Sequence, residues 1–222
     1  MERGGVPLRH ATVASRSLFC GVMDTDSRLA ADLARDLDAS FEALVIAHQD
    51  RLFSIALRML GDRGAAEEAA QDAFVRAYRA LATYDAERIG ELRIRPWLAT
   101  IVLNLCRTRI GRQAARGAAP LSFDIETSPL PEPVATDATT SPVAVMERHA
   151  ERERWAALLT CLPPAYRAAV VLRHVDGLSY PELATALGRP EGTVKAQVHR
   201  GLAQLRTMVE ADARLAREEM TA

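Results

Sequence analysis

The stretch from Leu178 to Arg206 constrains the fold more than any other part of this chain, because it has the spacing of a helix-turn-helix. Ser179 and Glu182 form the pattern of a capping box, in which two side chains satisfy the free N–H groups that open a helix. Gly188 stands where that helix should end, since glycine adopts the left-handed conformation of a helix C-cap at little cost. The apolar residues predicted to face inward from the second helix are Val194, Val198, Leu202 and Leu205.

The other face of this second helix suits the major groove of DNA. Short or polar residues near the N-terminus of a helix can reach base edges, and cations on its flanks can touch phosphates. We expect the outward residues to be Glu191, Thr193, Ala196, Gln197 and Arg200, with Lys195 and His199 on the flanks. A helical hairpin with an ordinary solvated face is the alternative, and the glycine corner favours DNA binding over it.

Composition predicts an all-α protein of the cytoplasm. Of the 222 residues, 49% are hydrophobic and only 5% aromatic, and abundant alanine and leucine favour helices. The net charge of −1 means that nucleic acid would have to bind at local patches. Cys20, Cys106 and Cys161 are far apart and odd in number, so we expect reduced thiols, with neither a metal site nor disulfides. No apolar run has the length of a membrane span, and the start lacks the apolar core of a signal peptide.

Two amphipathic helices begin the first predicted domain, residues 39–114, which follows a flexible extension over residues 1–38. The extension contains a predicted helical fragment, Ser27 to Leu37, and Met23 is a second candidate for the start of translation. One amphipathic helix runs from Phe41 to Leu60, and the other spans Ala65 to Leu81 with alanines on its inward side. The outward side of the second is either a docking face for a partner protein or a solvated face with ion pairs such as Asp72–Arg76.

A strongly basic segment follows, between Arg88 and Arg116. It carries seven arginines against one acid, Glu91, which gives it a local charge of +6. Pro96 can open a long helix here. Such a stripe, with Trp97 and Asn104 beside it, suits a nucleic-acid backbone and a few exposed bases. The alternatives are an ordinary basic face for the arginines and core packing for the body of Trp97.

Residues 115–146 are predicted to be a disordered linker between two separate helical domains. They are rich in proline, contain four acids and almost no cations. The linker is either a passive tether or an acidic segment that lies along basic surfaces. Residues 147–209 then form a second domain of four helices, and residues 210–222 a charged tail.

With these pieces in order, the chain resembles the extracytoplasmic-function (ECF) group of the bacterial sigma-70 family. Three segments carry the resemblance: residues 67–81 look like the family's core-polymerase docking helix, residues 95–112 like its minus-ten helix, and residues 162–206 like its minus-thirty-five domain. The resemblance implies a sigma factor that directs core RNA polymerase to promoter DNA, with no cofactor and no catalysis. It also admits an anti-sigma protein as an inhibitory partner.

The resemblance also assigns site residues. The polymerase-binding residues would be Glu68, Gln71, Asp72 and Arg76. The minus-ten residues would be Arg93, Arg95, Trp97, Asn104, Arg107, Arg109 and Arg112. The minus-thirty-five residues would be Ser179, Glu191, Thr193, Lys195, Ala196, Gln197, His199 and Arg200. Thr108 stands where members often have Asp, and Ala196-Gln197 where they often have Ser-Arg, so a promoter preference does not transfer.

Three other interpretations compete with this one. A conventional helix-turn-helix regulator would dimerise on a palindrome, but it leaves the basic segment unexplained. An all-helical adaptor without a DNA role would use the basic segment on an acidic protein surface. An enzyme is the weakest interpretation, because the sequence has no phosphate-binding glycine loop, metal constellation or activated nucleophile.

Overall fold

The computed structural model describes residues 15–115 and 154–219, with side-chain environments for residues 25–115 and 154–211. These residues contain helices and short turns and no strand, as the all-α prediction requires. The first domain consists of α1 (Ser15–Arg35), α2 (Leu37–Leu60), α3 (Arg63–Leu81), α4 (Ala86–Gly90) and α5 (Ile94–Ala115). The second contains α6 (154–160), α7 (Pro164–Val170) with a π-helical turn (Val171–Val175), α8 (Tyr180–Leu187) and α9 (Glu191–Glu219). The predicted linker lies outside the described residues, apart from Ala115.

Helix α1 replaces part of the extension that we expected to be flexible. Its residues Leu29, Ala30 and Leu33 are buried, and the helix packs against α2, α4 and α5. His48 of α2, expected to be a packed histidine, is 3% exposed, and its Nε2 lies 3.4 Å from an Asp26 carboxylate oxygen of α1. The N-terminal segment therefore belongs to the first core from at least Asp26 onward.

Capping and small side chains fix the pair formed by α2 and α3. Gly61 ends α2 with a φ of 73°, in the left-handed region that glycine tolerates best. Asp62 then caps α3 by accepting a hydrogen bond from the Ala65 N–H at 2.6 Å. The inward stripe of α3 is buried as the sequence predicts, and the small side chains let α2 approach closely; its members are Ala66, Ala69, Ala70, Ala73, Phe74, Ala77 and Leu81.

The helix-turn-helix is formed by α8 and α9. The Ser179 N–H donates to Glu182 Oε2 at 2.8 Å, as the capping-box pattern predicts. Gly188 makes the corner with a φ of 61°. The predicted inward face of α9 is wrong at Leu202, which is 37% exposed. Gly201 is buried in its place, because a residue without a side chain lets α9 cross closely over α7.

The described residues form two helical domains, as the sequence predicts, and these domains also contact each other. Helix α5 contacts α8, and α2 contacts both α7 and the π-helical turn. Arg167 of α7 donates to the Met59 carbonyl oxygen in the last turn of α2, and to the Thr160 and Leu162 carbonyl oxygens of its own domain. Within the described parts of the chain, no helix is both long and apolar enough to cross a bilayer.

Candidate nucleic-acid and partner interfaces

The N-terminal half of α9 presents a cationic surface. Thr193, Lys195, His199 and Arg200 are exposed. Lys195 Nζ lies 2.7 Å from Glu191 Oε1, one helical turn earlier, so the lysine is held along the helix flank. This surface can offer hydrogen-bond donors to base edges and phosphates.

An open groove of about 700 Å³ runs beside this surface, between the start of α7 and the start of α9. Polar and cationic residues line it together with an aromatic ring, so it can accept an anionic backbone. The lining includes Tyr166, Arg189, Thr193, Ala196, Gln197 and Arg200.

The outward position predicted for Gln197 is wrong, because its side chain is only 7% exposed. It lies three residues after Val194 and four before Gly201, so it shares their inward side of α9. Ala196 is half-buried at the groove. Ala196 and Gln197, the pair at which this chain departs from the family pattern, therefore do not project far from the helix.

Ser179 is half-buried and engaged within the protein. Its hydroxyl donates to Glu182 Oε2 at 2.6 Å, in addition to the bond from its N–H. Burial raises the pKa of Glu182, but the hydrogen bonds from Ser179 and the charges of Arg93 and Arg95 outweigh it and lower that pKa below the ordinary 4.5. The role of Ser179 in this structure is to cap α8.

The exposed residues predicted for the minus-ten element lie on the outer face of α5. Asn104 and Arg112 are exposed, and Arg107 Nη1 lies 3.4 Å from Asn104 Oδ1. Trp97 is half-buried, with its ring 6.4 Å from that of Tyr84, which supports core packing for the body of the indole. Burial, and then the nearby charge of Arg189, lowers the pKa of Arg107.

Two further residues of the predicted minus-ten set bond to the second domain: Arg93, just before α5, and Arg95, in its first turn. Arg93 Nη2 lies 2.9 Å from Glu182 Oε1, and Arg95 Nη2 donates to the Asp176 carbonyl oxygen at 2.8 Å. Arg51, which the sequence did not single out, holds both carboxylate oxygens of Asp176 with Nε and Nη2. Arg51 and Asp176 are 125 residues apart, and no local pattern relates them.

The outward face of α3 carries the predicted docking residues, and all of Glu68, Gln71, Asp72 and Arg76 are exposed. Asp72 pairs across the domain with Arg109 of α5 at 3.1 Å, and the same guanidinium donates to Glu68 at 2.8 Å. Both bonds raise the pKa of Arg109, and the bond to Glu68 contributes most. Asp72 thus pairs with Arg109 and not, as the sequence suggested, with Arg76.

The sequence pattern did not single out two apolar residues of this face. Val75 is 49% exposed and Tyr78 38% exposed, and the Tyr78 hydroxyl donates to Asp38 Oδ1 at 2.6 Å. Exposed apolar side chains between charged ones are typical of a protein–protein contact surface. The sequence did carry one sign of this surface, because Val75 interrupts the polar residues on the outward side of α3.

Two of the three cysteines, Cys106 and Cys161, have described side chains. Cys106 is buried, and burial raises the pKa of its thiol to about 12, so it stays protonated at neutral pH. Cys161 is exposed and free. Among the described residues, no group of three or more potential metal ligands comes together.

Comparisons with known proteins match both domains. The family model for sigma-70 region 2 matches residues 44–116, and that for sigma-70 region 4 matches residues 152–205. The chain is 36% identical to the RNA polymerase sigma-E factor of Streptomyces coelicolor, over 81% of this chain and 93% of that protein. It is 31% identical to the ECF RNA polymerase sigma factor SigW of Bacillus subtilis, over 77% and 89% of the two chains.

Another similar protein is longer. The ECF RNA polymerase sigma factor SigE of Mycolicibacterium smegmatis is 32% identical over 75% of this chain, which spans 60% of that relative. Among solved structures, CnrH in complex with the cytosolic domain of CnrY has a TM-score of 0.59 and 28% identity, covering 84% of this chain and 98% of that one. These matches do not support the dimeric regulator interpretation, since they include the basic segment as well as the helix-turn-helix.

Proposed function

Because the chain belongs to the ECF group of the sigma-70 family of RNA polymerase sigma factors, we propose that it binds core polymerase through the outward face of α3 and reads two promoter elements with its two domains. The observation that carries this proposal is the presence, on one chain, of the basic helix α5 and a capped helix-turn-helix whose cationic face is exposed. We assign it no catalytic residue and no cofactor.

The docking face of α3 combines exposed polar residues with an apolar one. Gln71, Asp72 and Arg76 flank Val75, so a partner can bury the valine while the rim forms hydrogen bonds. Glu68 completes this surface. Glu68 and Asp72 also bond to Arg109, which links α3 to α5.

The minus-ten element would be read by α5 and the turn before it. Asn104 has an exposed amide that can pair with a base edge, and the arginines would bind phosphates. The members of this surface are Arg93, Arg95, Trp97, Asn104, Arg107, Arg109 and Arg112. Trp97 contributes at most the exposed part of its ring.

The minus-thirty-five element would lie against the groove beside α9. Thr193 and Arg200 would contact base edges, and the phosphates would be contacted by Lys195, His199 and Arg189; their exposure or position at the groove supports this. Glu191 orients Lys195, Ser179 caps α8, and Ala196 and Gln197 contribute shape. Only Thr193 and Arg200 are thus assigned to base edges in this domain. Promoter specificity therefore depends on both domains acting together.

An anti-sigma protein is a proposed further partner, and the cytoplasm is the proposed location. CnrH was solved with the cytosolic domain of CnrY, which motivates a search for a protein of that kind here. Co-purification of the chain from native cells with a protein other than polymerase would support such a partner. Recovery with polymerase alone would count against it.

The docking proposal is tested by measuring the affinity of full-length variants for core polymerase. Arg76→Glu reverses a charge at the centre of the docking face, and we expect binding to weaken about tenfold, as for a central interface residue. Arg35→Glu is the matched control, because Arg35 is exposed on α1 and pairs with Asp32 of the same helix. Equal affinities for the two variants would contradict the assignment.

A further inference from the structure

Lys195 differs in its chemistry from every other strongly basic residue of the chain. Of the 28 lysine and arginine residues it is the sole lysine, so all the others carry a guanidinium group. A guanidinium stays protonated in proteins, whereas the amine of a lysine can lose its proton and then be acylated. A small molecule that acylates lysine amines therefore has a single target side chain on this protein.

The structure holds the Lys195 side chain in place without covering it. The side chain is 50% exposed, and its Nζ lies 2.7 Å from Glu191 Oε1, one turn earlier on α9. The same Nζ stands over the Tyr180 ring of α8, 5.4 Å from the ring centre, in a cation–π contact. The amine is thus positioned by two neighbours and remains open to a small molecule from solvent.

A second cation beside the same ring can hold an anionic reagent. The guanidinium carbon of Arg173 lies 4.9 Å from the centre of the Tyr180 ring. Arg173 Nη1 donates to the Leu178 carbonyl oxygen at 2.8 Å, which fixes the guanidinium and leaves its other N–H groups for a phosphate. Arg173 and Lys195, both beside Tyr180, therefore suit a small molecule that carries a phosphate next to an acyl group.

We propose that Lys195 is an acylation site, that acyl phosphates are its donors, and that acylation weakens binding to the minus-thirty-five element. In the reaction, the lone pair of the deprotonated Nζ forms a bond to the acyl carbon, and the bond from that carbon to the phosphate oxygen breaks. Inorganic phosphate leaves with the electron pair, and one amine proton passes to water. The effect on promoter binding rests on the proposed function of α9; the reaction at Lys195 does not.

Acylation changes the charge of the proposed DNA-reading surface in two ways. The ammonium becomes a neutral amide, so a proposed phosphate contact is lost together with the ion pair to Glu191 and the cation–π contact with Tyr180. Glu191, whose side chain is 43% exposed, then lacks this cation and repels the phosphate backbone. The proposed polymerase-docking face lies on α3 of the other domain, so its charges stay as they are.

The first test treats the full-length chain with acetyl phosphate at neutral pH and locates the acetyl groups by mass spectrometry of proteolytic fragments. We expect acetylation of Lys195 in the wild type and none at this position in Lys195→Arg, which keeps a cation there. The α-amine at the start of the purified chain shows that the reagent is active. A Lys195 that stays unmodified while this α-amine reacts overturns the site.

The same reaction can be followed in the polymerase holoenzyme with and without promoter DNA. We expect bound promoter to slow acetylation of Lys195, because the DNA would cover this side of α9, and to leave the rate at the α-amine unchanged. Equal rates at Lys195 with and without promoter overturn the proposed effect on DNA binding.

The last readout is the affinity of the holoenzyme for a target promoter before and after treatment. Loss of one phosphate contact lowers the affinity about five- to tenfold at about 0.1 M salt and makes the salt dependence shallower. We expect this loss for acetylated wild type and for untreated Lys195→Gln, and no change when Lys195→Arg is treated. Arg206→Gln, about three turns further along α9, is the matched control for the lost charge and should bind as the wild type does.

Acetylated wild type that binds the promoter as tightly as before overturns the effect on DNA binding. A fall in affinity for core polymerase as large as the fall for promoter overturns it as well, because the lost charge would then not act on DNA. A failure of the proposed function looks different, since the untreated wild-type holoenzyme would then select no promoter.

Discussion

Gly201 of α9 lies directly against Val170 of α7, at a distance that leaves no room for a side chain. A Cβ added to Gly201 would stand 2.6 Å from Val170 Cγ2, well inside van der Waals contact. Glycine is unfavourable in the middle of a helix, so its presence here reflects the close crossing of the two helices.

The first prediction concerns this crossing. Gly201→Ala should destabilise the protein by about 1–3 kcal/mol, because α7 and α9 must move apart to admit the methyl group. Gly192→Ala in the same helix has nothing within 4 Å of the added Cβ, and should be neutral or stabilising by up to about 1 kcal/mol. Urea unfolding of both variants makes the comparison. Equal stability of the two would show that the crossing is not tight.

Promoter recognition should depend on Arg200 more than on Gln197. Arg200 is exposed at the groove, so Arg200→Ala should cost about 1–3 kcal/mol in binding of the polymerase holoenzyme to a target promoter. Gln197→Ala should cost less, because that side chain is 7% exposed. Arg206→Ala, further along α9 and away from the groove, serves as the control. Promoter affinities that fall most for Gln197→Ala would reverse the assignment.

Glu182 should give the protein a specific sensitivity to acid. Its folded pKa is lowered below 4.5, so its contribution to stability is present above pH 4.5 and is lost as the pH falls through the folded value. Glu182→Gln should therefore lower the melting temperature at pH 7, by an amount corresponding to about 1–2 kcal/mol. The gap between wild type and variant should narrow below pH 4.5. Glu42→Gln, at an exposed site on α2, should show no such pH-dependent gap.

Local signals in the sequence were sufficient for several helix ends. Asp62, Gly61 and Gly188 act as caps because their side chains or backbone freedom satisfy requirements only a few residues away. The alanine stripe of α3 was equally predictable. Small apolar residues that repeat every 3.6 positions fall on one face of a helix, and that face can pack closely against a neighbouring helix.

Relations between distant residues were not predictable in the same way. Leu202 fits the apolar period as well as Gly201 does, and only the position of Val170 on another helix decides between them. The same holds for Gln197, which is buried because α7 passes over that side of α9. The pairing of Arg51 with Asp176 depends on how two domains meet, for which a single sequence carries no periodic or motif signal.

The energetics of strand separation require a large partner. Opening roughly ten base pairs costs on the order of 14 kcal/mol at about 1.4 kcal/mol per step. A few base contacts worth about 1–3 kcal/mol each cannot supply this from a chain with a net charge of −1. We therefore expect the isolated protein to bind promoter duplex poorly and to become specific only when core polymerase is present. Tight, sequence-specific binding by the purified chain alone would be inconsistent with this.

In vitro transcription of a promoter library by core polymerase, with and without this chain, tests the central claim most directly. We expect the chain to redirect initiation to start sites that share two upstream elements, and Arg200→Ala to weaken the dependence on the upstream one. Start sites that are unchanged when the chain is added, with a core polymerase that responds to a known sigma factor, would contradict the account.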